Sequence, residues 1–129
     1  LQAGVCAVLV HVADMDAGLS WYRNAFPDAV LEVSYPSGFV FLRIGATQLE
    51  IVPADAKVGS GAAGSVVYWW VDDFARSLTG LKSAGAVLYR GPLEIDGKLW
   101  MCQLRDPWGN CIGIRGPLAA NPSDVGSAT

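Results

Sequence analysis

Residues 5–12 form an apolar, partly β-branched run of strand length, and Met15, Leu19, Tyr22 and Phe26 then follow at helical spacing behind Asp14, a residue type suited to capping a helix. A strand followed by a helix is predicted. Pro27-Asp28 stops the helix, and three further strand-length runs, residues 30–35, 39–44 and 47–52, are separated by Pro36-Ser37-Gly38 and Gly45-Ala46, both turn signals. The order is βαβββ. It recurs in the second half, with a strand at 65–71, Asp73 as cap, Phe74, Leu78 and Leu81 on a helix ending at Gly85, then strands at 87–89, 99–105 and 111–115. Asp106-Pro107-Trp108-Gly109-Asn110 is the turn joining the last two.

The halves also resemble one another residue by residue, which identifies an internal repeat. Val12-Ala13-Asp14-Met15 is echoed by Val71-Asp72-Asp73-Phe74. Ala29-Val30-Leu31 is echoed by Ala86-Val87-Leu88, Leu42-Arg43 by Leu104-Arg105, and Gln48-Leu49-Glu50-Ile51 by Cys111-Ile112-Gly113-Ile114. Residues 54–64, rich in Ala, Gly and Ser, read as a linker, and 117–129, poor in large apolar residues, as a loose tail. The expected organisation is an α+β chain with one βαβββ unit over 1–53 and another over 65–116.

Composition narrows the functional classes. Over 129 residues the chain is 52% hydrophobic and 16% charged, enough apolar material for a sizeable core. No apolar stretch approaches the roughly 20 residues of a bilayer crossing, and no charged-then-apolar leader opens the chain, so a soluble protein with no membrane partner is expected. Nine basic residues against twelve acidic ones give a net charge of −3, which provides no basic field for nucleic acid. The three cysteines, Cys6, Cys102 and Cys111, form neither a disulfide framework nor a zinc knuckle, and a reducing cytoplasm is expected.

Two tandem βαβββ units with a -V-x-D-h-x-x-x-L- helix entry (h apolar) and a -D-P-W-G-N-x-I-x-I- close resemble the vicinal oxygen chelate superfamily. It includes glyoxalase I, bleomycin-resistance proteins, fosfomycin-modifying enzymes and extradiol dioxygenases. The resemblance covers residues 4 to 116. It implies a curved mixed sheet around a concave ligand cavity, a homodimer, and metal-ligand positions on the first and last strand of each unit. Those positions fall on Ala7, Glu50, Val66 and Gly113, of which only Glu50 can ligate. The expectation is therefore of no metal and no cofactor; recruitment of an ion through water by His11 and Glu50 is the lesser alternative.

Strand parity then assigns the concave face. It places Leu9, His11, Gln48, Glu50 and Val52 there from the first unit, and Tyr68, Trp70, Met101, Gln103, Cys111 and Arg115 from the second. Cys6, Val8, Val10, Leu49, Ile51, Val67, Trp69, Val71, Ile112 and Ile114 face the helices. The helix-facing set is a core, whereas the concave set mixes rings, amides, a carboxylate and a cation, as a ligand pocket does. Tyr68 and Trp70 offer ring faces to a planar or cationic ligand. Glu50 needs a partner, either Arg115 or His11, or else serves as ligand-binding anion or base. Cys111 has no neighbouring base in sequence to activate it. The reading that results is a metal-free protein of the bleomycin-resistance type that sequesters an aromatic or cationic small molecule. The alternatives are a lyase or isomerase of glyoxalase ancestry using Glu50, and a dimeric interaction module.

Overall fold

In the computed structural model, which describes residues 5–63, 66–95 and 98–120, Asp14 caps the first helix as its place before the apolar stripe requires. Its Oδ1 accepts the Ala17 N–H at 3.1 Å, satisfying one of the donors that a helix start leaves open. This helix, α1 (Met15–Ala25), follows β1 (Ala7–Val12) and precedes β2 (Val30–Ser34), β3 (Phe39–Ile44) and β4 (Thr47–Pro53). The four strands form one sheet in the order β1-β4-β3-β2. β1 runs parallel to β4, with Ala7 opposite Gln48, Leu9 opposite Glu50 and His11 opposite Val52; the β3 pairings with β2 and β4 are antiparallel. The α1 helix rests on one face of this sheet. At Gly18 an added Cβ would stand 2.7 Å from Val12 Cγ2 and 2.8 Å from Ile51 Cγ2, so the missing side chain sets how closely helix and sheet approach. Val12, Leu42, Leu49, Ile51 and Tyr22 are buried in this core, and Tyr22 packs edge-on against Trp21.

The second unit repeats the plan. The chain divides into two compact units, Leu1–Ser60 and Gly61–Thr129. The latter contains β5 (Tyr68–Trp70), α2 (Phe74–Ser83), β6 (Val87–Ile95), β7 (Leu99–Arg105) and β8 (Cys111–Pro117), with sheet order β5-β8-β7-β6. Asp73 caps α2 by accepting the Arg76 N–H at 3.0 Å. The core under α2 is built from Phe74, Leu81, Cys102, Leu104, Ile112 and Ile114, all buried, with the Phe74 and Trp100 rings 6.4 Å apart. The α+β architecture of two βαβββ units is thus present in full, and neither described helix is long and apolar enough to cross a membrane.

Three strands, all in the second unit, differ most from expectation. β6 runs to Ile95 instead of ending at Tyr89, through Gly91-Pro92, which reads in sequence as a break. As the outer strand of its sheet it can carry a proline without an N–H, and its register shifts on both sides of Arg90 absorb the irregularity. β5 has three residues where seven were expected. Its pairing with β8 continues only as single bonds, Gly113 N–H to the Val67 carbonyl and Val71 N–H to the Arg115 carbonyl, each 3.0 Å; Ser65, its expected start, lies outside the described residues. β8 extends to Pro117 because Leu99 pairs with it there, so the expected tail begins later. Residues 121–129 of that tail, and Gly64 of the linker, also lie outside the described residues.

Candidate functional site

Each sheet has one face covered by its helix and one turned away from it, here the open face. Because paired residues share a face, the registers fix its membership. In the first unit they place Ala7, Leu9 and His11 with Gln48, Glu50 and Val52, as parity predicts. They add Phe41 and Arg43 from β3 and Glu32 from β2, since Arg43 pairs with Gln48 and Glu32 with Phe41.

These polar groups form a chain. Arg43 Nε donates to Glu32 Oε2 at 2.9 Å, an Arg43 terminal nitrogen donates to Gln48 Oε1 at 3.4 Å, and Gln48 Nε2 donates to Glu50 Oε2 at 3.4 Å. The Arg43 guanidinium also stands over the buried Phe41 ring, 5.3 Å from its centroid. Glu32 balances Arg43 directly, while Glu50, the carboxylate that the sequence singles out, is held by a neutral amide. Its structural partner is Gln48; Arg115, one of the two expected partners, belongs to the other unit. His11 is half-buried on the same face, and its carbonyl accepts the Ser60 hydroxyl.

In the second unit the registers bring Tyr68 beside Gly113, Trp70 beside Arg115, Met101 beside Arg115, Gln103 beside Gly113 and Cys111 beside Arg105. All six expected residues of this unit share the open face. β6 adds Arg90, opposite Gln103, and Leu93, opposite Met101. The centre of this face is a closed polar cluster. Gln103 Nε2 donates to the Tyr68 hydroxyl at 2.8 Å, and the Cys111 thiol donates to Gln103 Oε1 at 3.5 Å. The Arg115 guanidinium lies 4.7 Å from the Tyr68 ring centroid, and that of Arg105 lies 4.0 Å from Tyr89. Trp70 is exposed, its indole N–H donating to Asp72 Oδ1 at 3.0 Å.

Burial raises the Cys111 thiol above its ordinary ionisation range, against a lesser lowering by the Arg105 charge. It stays a protonated donor at neutral pH and is no ready nucleophile.

Gly113 marks the strongest local constraint. A Cβ built there would fall 2.6 Å from Tyr68 Cδ1 and 2.8 Å from its Cγ. The Tyr68 ring therefore occupies the space in which a side chain at this position would stand. Of the positions at which the resemblance implies metal ligands, Ala7 and Val66 carry no donor atom, and the Gly113 position is covered by a ring. Among the described residues no three His, Cys, Asp or Glu side chains gather as a metal site needs. These residues do not fit a chelated ion.

The sequence reading missed Glu32, Phe41, Arg43, Tyr89, Arg90 and Arg105. For the arginines a signal existed: the repeat itself aligns Leu42-Arg43 with Leu104-Arg105, and both arginines stand over an aromatic ring on the open face of their unit. Tyr89 and Arg90 lie at the irregular part of β6, where simple alternation fails.

No family model matches the sequence, and no curated protein matches it. Solved structures do match. A glyoxalase/bleomycin resistance protein/dioxygenase family enzyme from Burkholderia phytofirmans PsJN is similar at TM-score 0.72 and 21% identity, over 90% of this chain and 100% of that one. TnmS3, an antibiotic binding protein from Streptomyces sp. CB03234, is similar at TM-score 0.68 and 21% identity, over 90% and 97%. Lactoylglutathione lyase from Agrobacterium tumefaciens is similar at TM-score 0.63 and 18% identity, over 89% and 94%. With its two βαβββ units and these neighbours, the chain has the fold of the glyoxalase/bleomycin resistance protein/dioxygenase superfamily.

Proposed function

We propose that the protein belongs functionally with the metal-free binding members of this fold and sequesters a small aromatic compound, in the manner of an antibiotic-binding protein. The observation that carries this reading is the Tyr68 ring across Gly113: where a chelating relative would present a ligand, this chain presents an aromatic wall. The wall is held in place by Gln103 on its hydroxyl and flanked by the exposed Trp70. Rings fixed in this way offer stacking surface at little further cost in side-chain entropy. On the open face of the first unit, Glu50, whose described partner is the Gln48 amide, would receive a cationic ligand. An antibiotic-binding neighbour supports the assignment.

The same reading carries a cytoplasmic homodimer. Three free thiols accord with a reducing compartment. Leu9 and Val30 on one open face, and Val87 and Leu93 on the other, are exposed apolar residues that a second copy would cover.

Titration with planar aromatic compounds of either charge, such as proflavine and anthraquinone-2-carboxylate, tests the binding. The expected result is saturable quenching of tryptophan fluorescence, unaffected by EDTA and weakened in Trp70→Ala. Absence of saturable quenching by the whole set, or its abolition by EDTA, would overturn the proposal. An unchanged affinity in Trp70→Ala would remove that ring from the site.

A further inference from the structure

The open face of the second unit is cationic. It carries Arg90, Arg105 and Arg115, and no Asp or Glu among the described residues of its strands shares it. Glu94 pairs with Trp100 on the other face, and Asp106 is buried within the β7–β8 turn. Asp72 lies just beyond β5 and accepts the Trp70 indole N–H.

Of the three arginines, Arg115 is the one with a donor nitrogen both withdrawn from water and without a partner among the described residues. Its Nε is buried and has no hydrogen-bond partner. A buried donor left unpaired is costly, and the polar cluster beside it does not relieve the cost. The Tyr68 hydroxyl already accepts from Gln103, and Gln103 Oε1 already accepts from Cys111. The contact with the Tyr68 ring engages the positive charge of the guanidinium and leaves the Nε–H without an acceptor.

We infer that Arg115, seated against the Tyr68 ring and opposite Trp70 in the β5–β8 ladder, receives the carboxylate or a comparable oxyanion of an aromatic ligand. A guanidinium fork matches a planar carboxylate with paired N–H donors, and the flanking rings Tyr68 and Trp70 suit a planar body attached to that group. Arg90 and Arg105 supply a like-signed field around the seat. The inference rests on the aromatic-ligand reading above and adds an anionic group to it.

The test uses naphthalene-2-carboxylate, naphthalene-2-carboxamide and 2-naphthylmethylammonium, which share a ring system and differ in charge, added to ¹⁵N-labelled full-length protein. We expect the Arg115 Nε–H resonance to shift saturably with the carboxylate and not with the other two. Carboxylate affinity should fall about tenfold in Arg115→Gln and less in Arg115→Lys, with carboxamide affinity unchanged in both. Retained carboxamide binding certifies that the variants are folded.

Equal response to all three probes, or an Arg105→Gln loss as large as that of Arg115→Gln, would overturn the seat and leave only a diffuse field. If the probes move the Trp70 indole resonance but not that of Arg115, the anion seat fails and aromatic binding stands. If none moves Trp70, the aromatic reading fails and takes the seat with it.

Discussion

Burial acts on Cys102 through its ionisation. The residue is buried under α2, and removal from water pushes its thiol up to about 11, because the thiolate would lose its hydration. A thiol raised in the folded state favours folding fully while both states are protonated. That stability is lost as pH climbs from the ordinary thiol value of about 8.5 through the folded value, since the unfolded chain then gives up its proton first. The full window is worth about 3 kcal/mol at the usual ~1.4 kcal/mol per pH unit, of which about 2 kcal/mol falls between pH 8 and pH 10.5. Urea unfolding under reducing conditions at pH 8 and pH 10.5 should show the wild type losing about 2 kcal/mol more than Cys102→Ala; equal losses would contradict the assignment. Cys111, raised for the same reason, adds a slope of the same sign to both proteins.

Residue by residue, the open faces were largely legible because alternation along a regular strand is a covalent fact and pairing copies it to the neighbour. Gln48, Glu50, Tyr68, Gln103 and Arg115 fall where parity placed them. Their partners were not legible. That Gln48 holds Glu50 depends on rotamers and on an Arg43–Glu32 pair from two strands whose faces were left unassigned.

At the scale of elements, the turn between β7 and β8 shows why Asp106-Pro107-Trp108-Gly109-Asn110 could be read as a unit. Asp106 Oδ1 accepts the N–H groups of Trp108 and Asn110, both at 2.8 Å, and Oδ2 accepts the Asn110 side-chain amide at 2.9 Å. Gly109 supplies the positive φ of +84° that other residues adopt at a cost. Asn110 Oδ1 in turn accepts the Gly61 N–H at 2.9 Å, fastening the end of the Ala- and Gly-rich segment to the turn. Asp106→Ala strips a buried carboxylate from three donors and should cost about 3 kcal/mol, read by urea unfolding. A loss below about 1 kcal/mol would show that the turn forms without it. The course of β6 past Gly91-Pro92 was illegible for the opposite reason: a local breaker signal was overridden by pairing with β7 along an outer strand.

For the whole molecule, the repeat carried most of the fold. Two halves with matched caps, matched turns and matched core positions could close only into equivalent units; Leu49, Ile51, Ile112 and Ile114 of the expected helix-facing core are buried, whereas Cys6 and Val67 are exposed and Phe41 is buried on the open face. The two open faces diverge in charge: Glu32, Arg43 and Glu50 on one, Arg90, Arg105 and Arg115 on the other. Such divergence on a duplicated scaffold gives each unit a binding surface of its own character, and does not fit a symmetric pair of chelating sites. The central claim is that this surface works without a coordinated ion. Its most direct test is elemental analysis of protein expressed with added Ni, Zn, Mn and Fe and purified without chelator. The account predicts metal far below one ion per chain and no difference between wild type and Glu50→Gln. One ion per chain that survives gel filtration, and is lost in Glu50→Gln, would contradict it.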